Sequence, residues 1–198
     1  MTFPLFLALL TFAAVSAWTP GPNNTILMAT GLNHGFKRAV PMIFGVAFGF
    51  PFMIGMVGLG LGRIFEVVPQ LYTFMKFAGA AYMLWLAYKI ATAKPAQDGG
   101  KAGEPLTFIQ GAAFQWINPK AWIMAMTSLS AYTIASSYYT CVAIVVATFT
   151  LMGLTSASGW ALFGSALRHI MNDPRYYRMI NAGLAAALVA SLVPMLWH

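Results

Sequence analysis

The residues best equipped for chemistry fall in two short stretches. Thr19-Pro20-Gly21-Pro22-Asn23-Asn24 sets three helix breakers before a pair of carboxamides. Gln115-Trp116-Ile117-Asn118-Pro119-Lys120 sets one proline between two carboxamides and a lysine. Proline has no amide hydrogen and disfavours helical backbone in the residue before it. Pro20 would therefore free the carbonyl of Ser16, Pro22 that of Trp18, and Pro119 that of Gln115. Asn118-Pro119 also reads as an N-cap followed by proline at the first helical position. Gly21-Pro22 can act the same way, with Asn23 and Asn24 in the first turn. Each stretch thus predicts a helix start with unpaired amides and partial positive charge, close to carbonyls lacking helical partners. Such a set suits a small zwitterion. A carboxylate would meet the amides and Lys120. An ammonium would meet the freed carbonyls, with Thr19, Asn23, Asn24, Gln115 and Asn118 alongside.

The surroundings of these stretches are apolar. Of 198 residues, 60% are hydrophobic and 8% are Asp, Glu, Lys or Arg; an ordinary soluble domain has about 25% charged residues. Mean hydropathy is +0.72. A soluble fold of this length cannot hide so much apolar surface, which excludes a water-soluble enzyme. Eleven Lys and Arg against four Asp and Glu give a net charge of +7. The charges fall in short gaps between long apolar runs, the placement of cytoplasmic membrane loops rather than of a nucleic-acid binder. Cys141 is the only cysteine, so no intrachain disulfide forms and no metal-ligand spacing arises.

Uncharged stretches of about 20 residues mark candidate membrane helices. The first, from Phe3 to about Leu32, would reach roughly 45 Å as one helix against a hydrocarbon core of about 30 Å, and its Thr19–Pro22 segment breaks it. The second is Val40 to Gly62 and the third about Leu71 to Ile90, with Lys76 and Lys89 placed to snorkel. The fourth, about Thr107 to Tyr132, is interrupted at Asn118-Pro119-Lys120. The fifth is about Tyr139 to Phe163 and the sixth about Met179 to Trp197, with Trp197 as an interfacial anchor. The expected architecture is an all-α integral membrane protein of six helices in one domain. Repeat one covers about residues 1–93, a polar linker about 94–105, and repeat two about 106–198. Three spans per half orient the halves oppositely, as an inverted repeat, with the first helix of each half broken by proline.

Lys37, Arg38, Lys89, Lys94, Lys101, Arg168, Arg175 and Arg178 gather on loops 1–2, 3–4 and 5–6, which are therefore expected to be cytoplasmic, with both termini outside. Met1-Thr2-Phe3-Pro4 lacks the positive start of a secretory signal, although Val15-Ser16-Ala17 looks like a cleavage site.

Lys120 is the only charge far from a span end. A lysine at the bilayer centre costs at least about 2.5–3.5 kcal/mol, and in the first turn of a helix it also opposes the dipole. Both penalties make sense if an anion occupies the site. Glu66, Asp98, Glu104 and Asp173 all fall in loops, so a cationic side chain would find no counter-ion and a small neutral amino acid fits better. Gly31, Gly35, Gly45, Gly49 and the Gly58, Gly60, Gly62 series are expected to let helices approach closely. Trp18, Trp85, Trp116, Trp122 and Trp160 are candidates to line a pathway, and His34 and His169 are expected to be solvated at span ends. No membrane carboxylate pair, mid-span histidine or His-Glu-x-x-His site is present, so neither an enzyme nor a resident metal or cofactor is expected.

The same residues resemble the LysE/RhtB family of amino-acid exporters, and within it the cysteine and O-acetylserine exporter subgroup. The likeness rests on Thr19-Pro20-Gly21-Pro22-Asn23-Asn24, His34-Gly35-Phe36-Lys37-Arg38, Gly79 to Lys89 (GAAYMLWLAYK) and Gln115 to Ala121 (QWINPKA), and it covers essentially the whole chain. The resemblance implies a bacterial inner-membrane exporter of amino acids or their derivatives, with protons as coupling ion. The expected partners are a small amino-acid substrate, protons, the lipid bilayer and a second copy of the chain.

Overall fold

The computed structural model describes residues 1–63, 67–93, 104–170 and 173–193. All regular structure among them is helical. The helices are α1 (Phe3–Trp18), α2 (Pro22–His34), α3 (Phe36–Gly58), α4 (Pro69–Ala91), α5 (Phe108–Ile117), α6 (Pro119–Tyr132), α7 (Tyr138–Ile170) and α8 (Pro174–Ala190), with short 3-10 turns at Leu61–Arg63 and Ala135–Ser137. Most of the linker, Glu66 and Trp197 lie outside the described residues.

Local chemistry explains the boundaries. α1 stops where Thr19 and Pro20 leave the helix, and α2 restarts on Pro22 with a 50° bend between them. Gly35 ends α2 with φ +80°, a conformation that favours glycine, and donates to the Gly31 carbonyl at 2.9 Å. α5 opens on a capping box, Thr107 with Gln110. α6 opens on Asn118, whose side chain accepts from the Lys120 amide at 3.1 Å, followed by Pro119 at the first position. Asp173 caps α8 in the same manner, at 2.8 Å from the Arg175 amide.

Among the described residues two helices, α3 and the run Ala135–Arg168, are long and apolar enough to cross a membrane, and the bent pair α1–α2 makes a third span if counted as one. This is fewer than the six spans expected. α5 and α6 have 10 and 14 residues and are too short singly. α4 carries Lys76 and Lys89 among tyrosines, and α8 has 17 residues that include Arg175, Arg178 and Asn181. α7 also overruns its expected end at Phe163, because Gly164 is held inside the helix against the α2 backbone at Met28 and no proline follows before Pro174.

α7 packs most extensively on α2 and α3, and α3 packs in turn on α5. Their partners approach through glycines that leave no room for a methyl group. Gly31 of α2 abuts the Ala161 carbonyl and Gly164 of α7 abuts the Met28 carbonyl, while Gly45 and Gly49 of α3 meet Phe108 and Ala112 of α5. The Gly58, Gly60, Gly62 series does not serve close helix approach as a unit. Gly60 has φ +106° with nothing nearby, Gly62 meets only its neighbour Val57, and Gly58 alone touches another helix, at Val142. Two apolar clusters fill the interior. One, around Leu27, Met42, Met83, Phe114 and Leu188, lies at the α2–α8 end, and the other, around Leu9, Met53, Ile54, Val145 and Phe149, lies at the α1–α6 end.

Candidate functional site

The two proline breaks meet. The end of α1, the Gly21 turn and the starts of α2 and α6 border one cavity of about 510 Å³, its open mouth included. Ser16, Ala17, Gly21, Asn23 and Asn24 line it from the first break and Asn118 and Lys120 from the second. Val46 and Phe50 of α3, Ala121 and Met124 of α6, and Phe149, Gly153, Ser156 and Ala157 of α7 supply the remaining wall. One side is thus polar and the other aliphatic and aromatic.

Lys120 spans the gap between the breaks. Its Nζ donates to the Thr19 carbonyl at 2.7 Å, and its stem passes so close to Gly21 that a methyl there would lie 2.9 Å from Cδ. This changes the dipole argument. Lys120 opposes the dipole of its own helix, α6, but its ammonium sits on the carbonyl end of α1, where a cation is favoured. A hydrogen bond to a charged group contributes about 1.5–3 kcal/mol, close to the about 2.5–3.5 kcal/mol that a lysine at mid-membrane costs. The half-buried lysine is therefore tolerated without a bound anion. Thr19 O is its one acceptor among the described residues, which leaves two of three ammonium donors for a solute.

The carbonyls held by side chains differ from those expected. Gln115 O accepts the Asn118 amide at 3.3 Å. The carbonyls engaged at the first break are Ala17, which accepts from Asn24 Nδ2 at 2.8 Å and Ser156 Oγ at 2.7 Å, and Thr19, which accepts from Asn24 Nδ2 at 2.9 Å and from Lys120. The reason is that the chain leaves the helix at Thr19, so its last-turn carbonyls are orphaned together.

Gln115 does not line the cavity. It is fully buried and its carboxamide exchanges two hydrogen bonds with Asn23, at 2.8 and 3.2 Å, while Nε2 also donates to Gly111 O at 2.8 Å. It ties the helix before one break to the helix after the other. The Thr19 side chain also turns away, donating to Val15 O at 2.6 Å, and Pro20 is exposed. Ser156 joins the site from α7, and no spacing or motif in the sequence marks it.

None of the five tryptophans is among the cavity's lining residues. Trp122 Nε1 donates to Trp116 O at 2.7 Å, fastening α6 to α5 across the break, and Trp18 rests on Gly159. Trp85 faces outward under the Lys89 ammonium, 4.6 Å from the ring centroid. His34 is half-buried, and its Nδ1 is shut from solvent without a hydrogen-bond partner among the described residues. The His169 side chain lies outside them. No group of three or more His, Cys, Asp or Glu that could hold a metal occurs among the described residues. Lys120 is the only charged residue lining the cavity among the described residues.

The family model of the LysE type translocator matches residues 14–192, a range that holds both breaks and the cavity between them. The chain belongs to the LysE type translocator family. This translocator is similar to proteins named cysteine/O-acetylserine efflux protein. Those of Escherichia coli strain K12 and Shigella sonnei strain Ss046 are each 31% identical to it over 193 residues, 96% of either chain. No solved structure matches. The translocator is a membrane-embedded transport protein and not an enzyme, and its family and relatives support amino-acid export.

Proposed function

We propose that this translocator exports small neutral amino acids or their derivatives, of homoserine, threonine or cysteine type, across the bacterial inner membrane. The relatives named for cysteine and O-acetylserine efflux point the same way. One observation carries the reading. Lys120 and the carboxamides of Asn23, Asn24 and Asn118 border a single cavity at the meeting of two helix breaks. The substrate carboxylate takes the spare donors of Lys120, since the first amides of α6 are already taken, that of Lys120 by Asn118 Oδ1 and those of Ala121 and Trp122 by Asn118 O. Its ammonium lies toward the last turn of α1 at Ser16, because the Ala17 and Thr19 carbonyls each already accept two hydrogen bonds, and a short side chain rests on Phe50, Met124 and Phe149. With no acid in the lining, lysine and arginine are poor substrates.

The chain acts as six spans in two inverted halves, about residues 1–93 and 106–198, with α1–α2 and α5–α6 as the broken first spans. Both termini face outside and the basic loops face the cytoplasm. Alternating access moves the site from one side to the other. Export is coupled to protons, carried by Lys120 or by the substrate itself. Gln115 and Thr19 shape the site, Gln115 by fixing Asn23 and Thr19 through its carbonyl.

Purified protein in liposomes loaded with a panel of labelled amino acids tests this reading. Saturable efflux of small neutral amino acids, accelerated by an opposing proton gradient, is the expected result. Unsaturable flux indifferent to the gradient would make the protein a passive channel. Absence of flux for every amino acid would leave a non-transporting membrane module.

A further inference from the structure

At the opposite end of α2 from the cavity, three polar side chains are buried together. Asn33 is 8% exposed, Tyr177 7% and Asn181 0%. Tyr177 Oη donates to Asn33 Oδ1, Asn33 Nδ2 donates to Asn181 Oδ1 at 3.1 Å, and Asn181 Nδ2 donates to the Tyr177 carbonyl at 3.2 Å. The ring of bonds joins α2 of the first half to α8 of the second, 148 residues apart between Asn33 and Asn181. The ring lies at the ends of both helices, and interhelical hydrogen bonds of this kind hold membrane helices in one arrangement.

The same end is sealed in two further ways. Gly31 and Gly164 bring the α2 and α7 backbones into direct contact, and the Phe36 amide donates to Ser165 Oγ at 3.3 Å across the halves. At the other end the halves meet chiefly through apolar side chains such as Leu9, Ile54, Leu129 and Val145. Beyond the cavity bonds of Lys120, Gln115 and Ser156 to the first half, the side-chain hydrogen bond described there between halves runs from Tyr138 Oη to Gly58 O at 3.0 Å. Between the ends α2 is an unbroken rod. Asn23 at the cavity and Asn33 in the polar ring are about 15 Å apart along its axis.

We infer that Asn33, Tyr177 and Asn181 form the lock of a gate on the side of the membrane where Arg38 and Arg168 lie, and that α2 is the element that swings when it opens. The structure is the state closed on that side. Apolar packing slides between arrangements with little penalty, whereas a ring of directional bonds holds one arrangement until all of it parts. Because α2 carries Asn23 and Asn24 into the cavity at its other end, unlocking at Asn33 moves the solute-binding carboxamides as well. The inference rests on the export reading for its purpose, but its test does not use flux.

The reporter is a single cysteine at Ala157, in the cavity wall, in a Cys141→Ser background. A charged, membrane-impermeant thiol reagent is applied to vesicles of each orientation. In the parent protein the reporter reacts more slowly from the Arg38/Arg168 side than from the other. Asn181→Leu should raise the rate from the Arg38/Arg168 side relative to the rate from the other side by roughly 3- to 20-fold, the former rising and the latter falling, the shift in the ratio expected for losing one interhelical hydrogen bond. Tyr177→Phe, which removes a single hydroxyl, should move both rates the same way by less, and it decides the matter if Asn181→Leu does not fold. Unchanged rates would overturn the lock, and so would equal acceleration from both sides, which is the mark of general loosening. A protein that shows the opposed shifts but exports nothing would keep the lock and lose the export reading.

Discussion

Replacing Lys120 by methionine separates a lysine that recognises substrate from one that merely holds two helix ends together. The substitution removes the ammonium bond to Thr19 O, about 1.5–3 kcal/mol, and also removes a charge that, on the proposed architecture, lies at mid-membrane and costs about 2.5–3.5 kcal/mol. These contributions nearly cancel, and the methionine chain fills the space of the lysine stem beside Gly21. The variant should therefore reach the membrane in normal amount and melt close to the parent. A bound carboxylate, in contrast, loses its charged partner in a half-buried site, a loss of at least about 2 kcal/mol, which is about 30-fold in affinity. The assays are efflux from proteoliposomes at sub-saturating substrate and thermal melting in detergent with and without substrate. The expected result is export down by about 30-fold or more, an almost unchanged melt, and loss of substrate-induced stabilisation. Full export would remove Lys120 from solute recognition. A variant that fails to accumulate would show that the bond to Thr19 is chiefly structural.

Other consequences follow from the same geometry. Asn23 and Gln115 exchange two hydrogen bonds across the halves, so Asn23→Leu, Gln115→Leu and the double variant should give a favourable coupling energy in a melting cycle. Its size should lie near the interhelical range of about 0.6–1.7 kcal/mol, and additive losses would mean the pair contributes nothing of its own. Gly31→Ala forces a methyl against the Ala161 carbonyl and should destabilise by about 1–3 kcal/mol. Gly183→Ala, in the middle of α8 with open space around it, should stabilise by about 0.5–1 kcal/mol.

Features encoded by adjacent residues were readable from the chain itself. Asn118-Pro119 and Gly21-Pro22 each place a rigid φ and a missing donor at a helix start, and the structure starts helices at both. What sequence could not convey is where a side chain points once another helix is beside it. Gln115 turns inward to Asn23, 92 residues away, instead of facing the cavity. Ser156 reaches Ala17 across 139 residues, because the register of α7 against α1 is set by packing of Trp18 on Gly159 and of Gly31 and Gly164 on opposing backbones. The acceptor of Lys120 was likewise hidden. A carbonyl is present at every residue, so only the fold reveals that the one within reach belongs to Thr19. α4 and α8 fall outside the long apolar helices because α4 carries Lys76 and Lys89 and α8 has 17 residues that include Arg175 and Arg178, side chains whose stems can reach the interface.

The central claim is that both breaks address one solute. Single cysteines at Asn24 and at Asn118, each in a Cys141→Ser background, report on the two breaks separately through their rates of thiol modification. A transported amino acid should slow both rates with the same half-saturating concentration. Protection of one position alone, or of neither at concentrations that saturate efflux, would contradict a shared site.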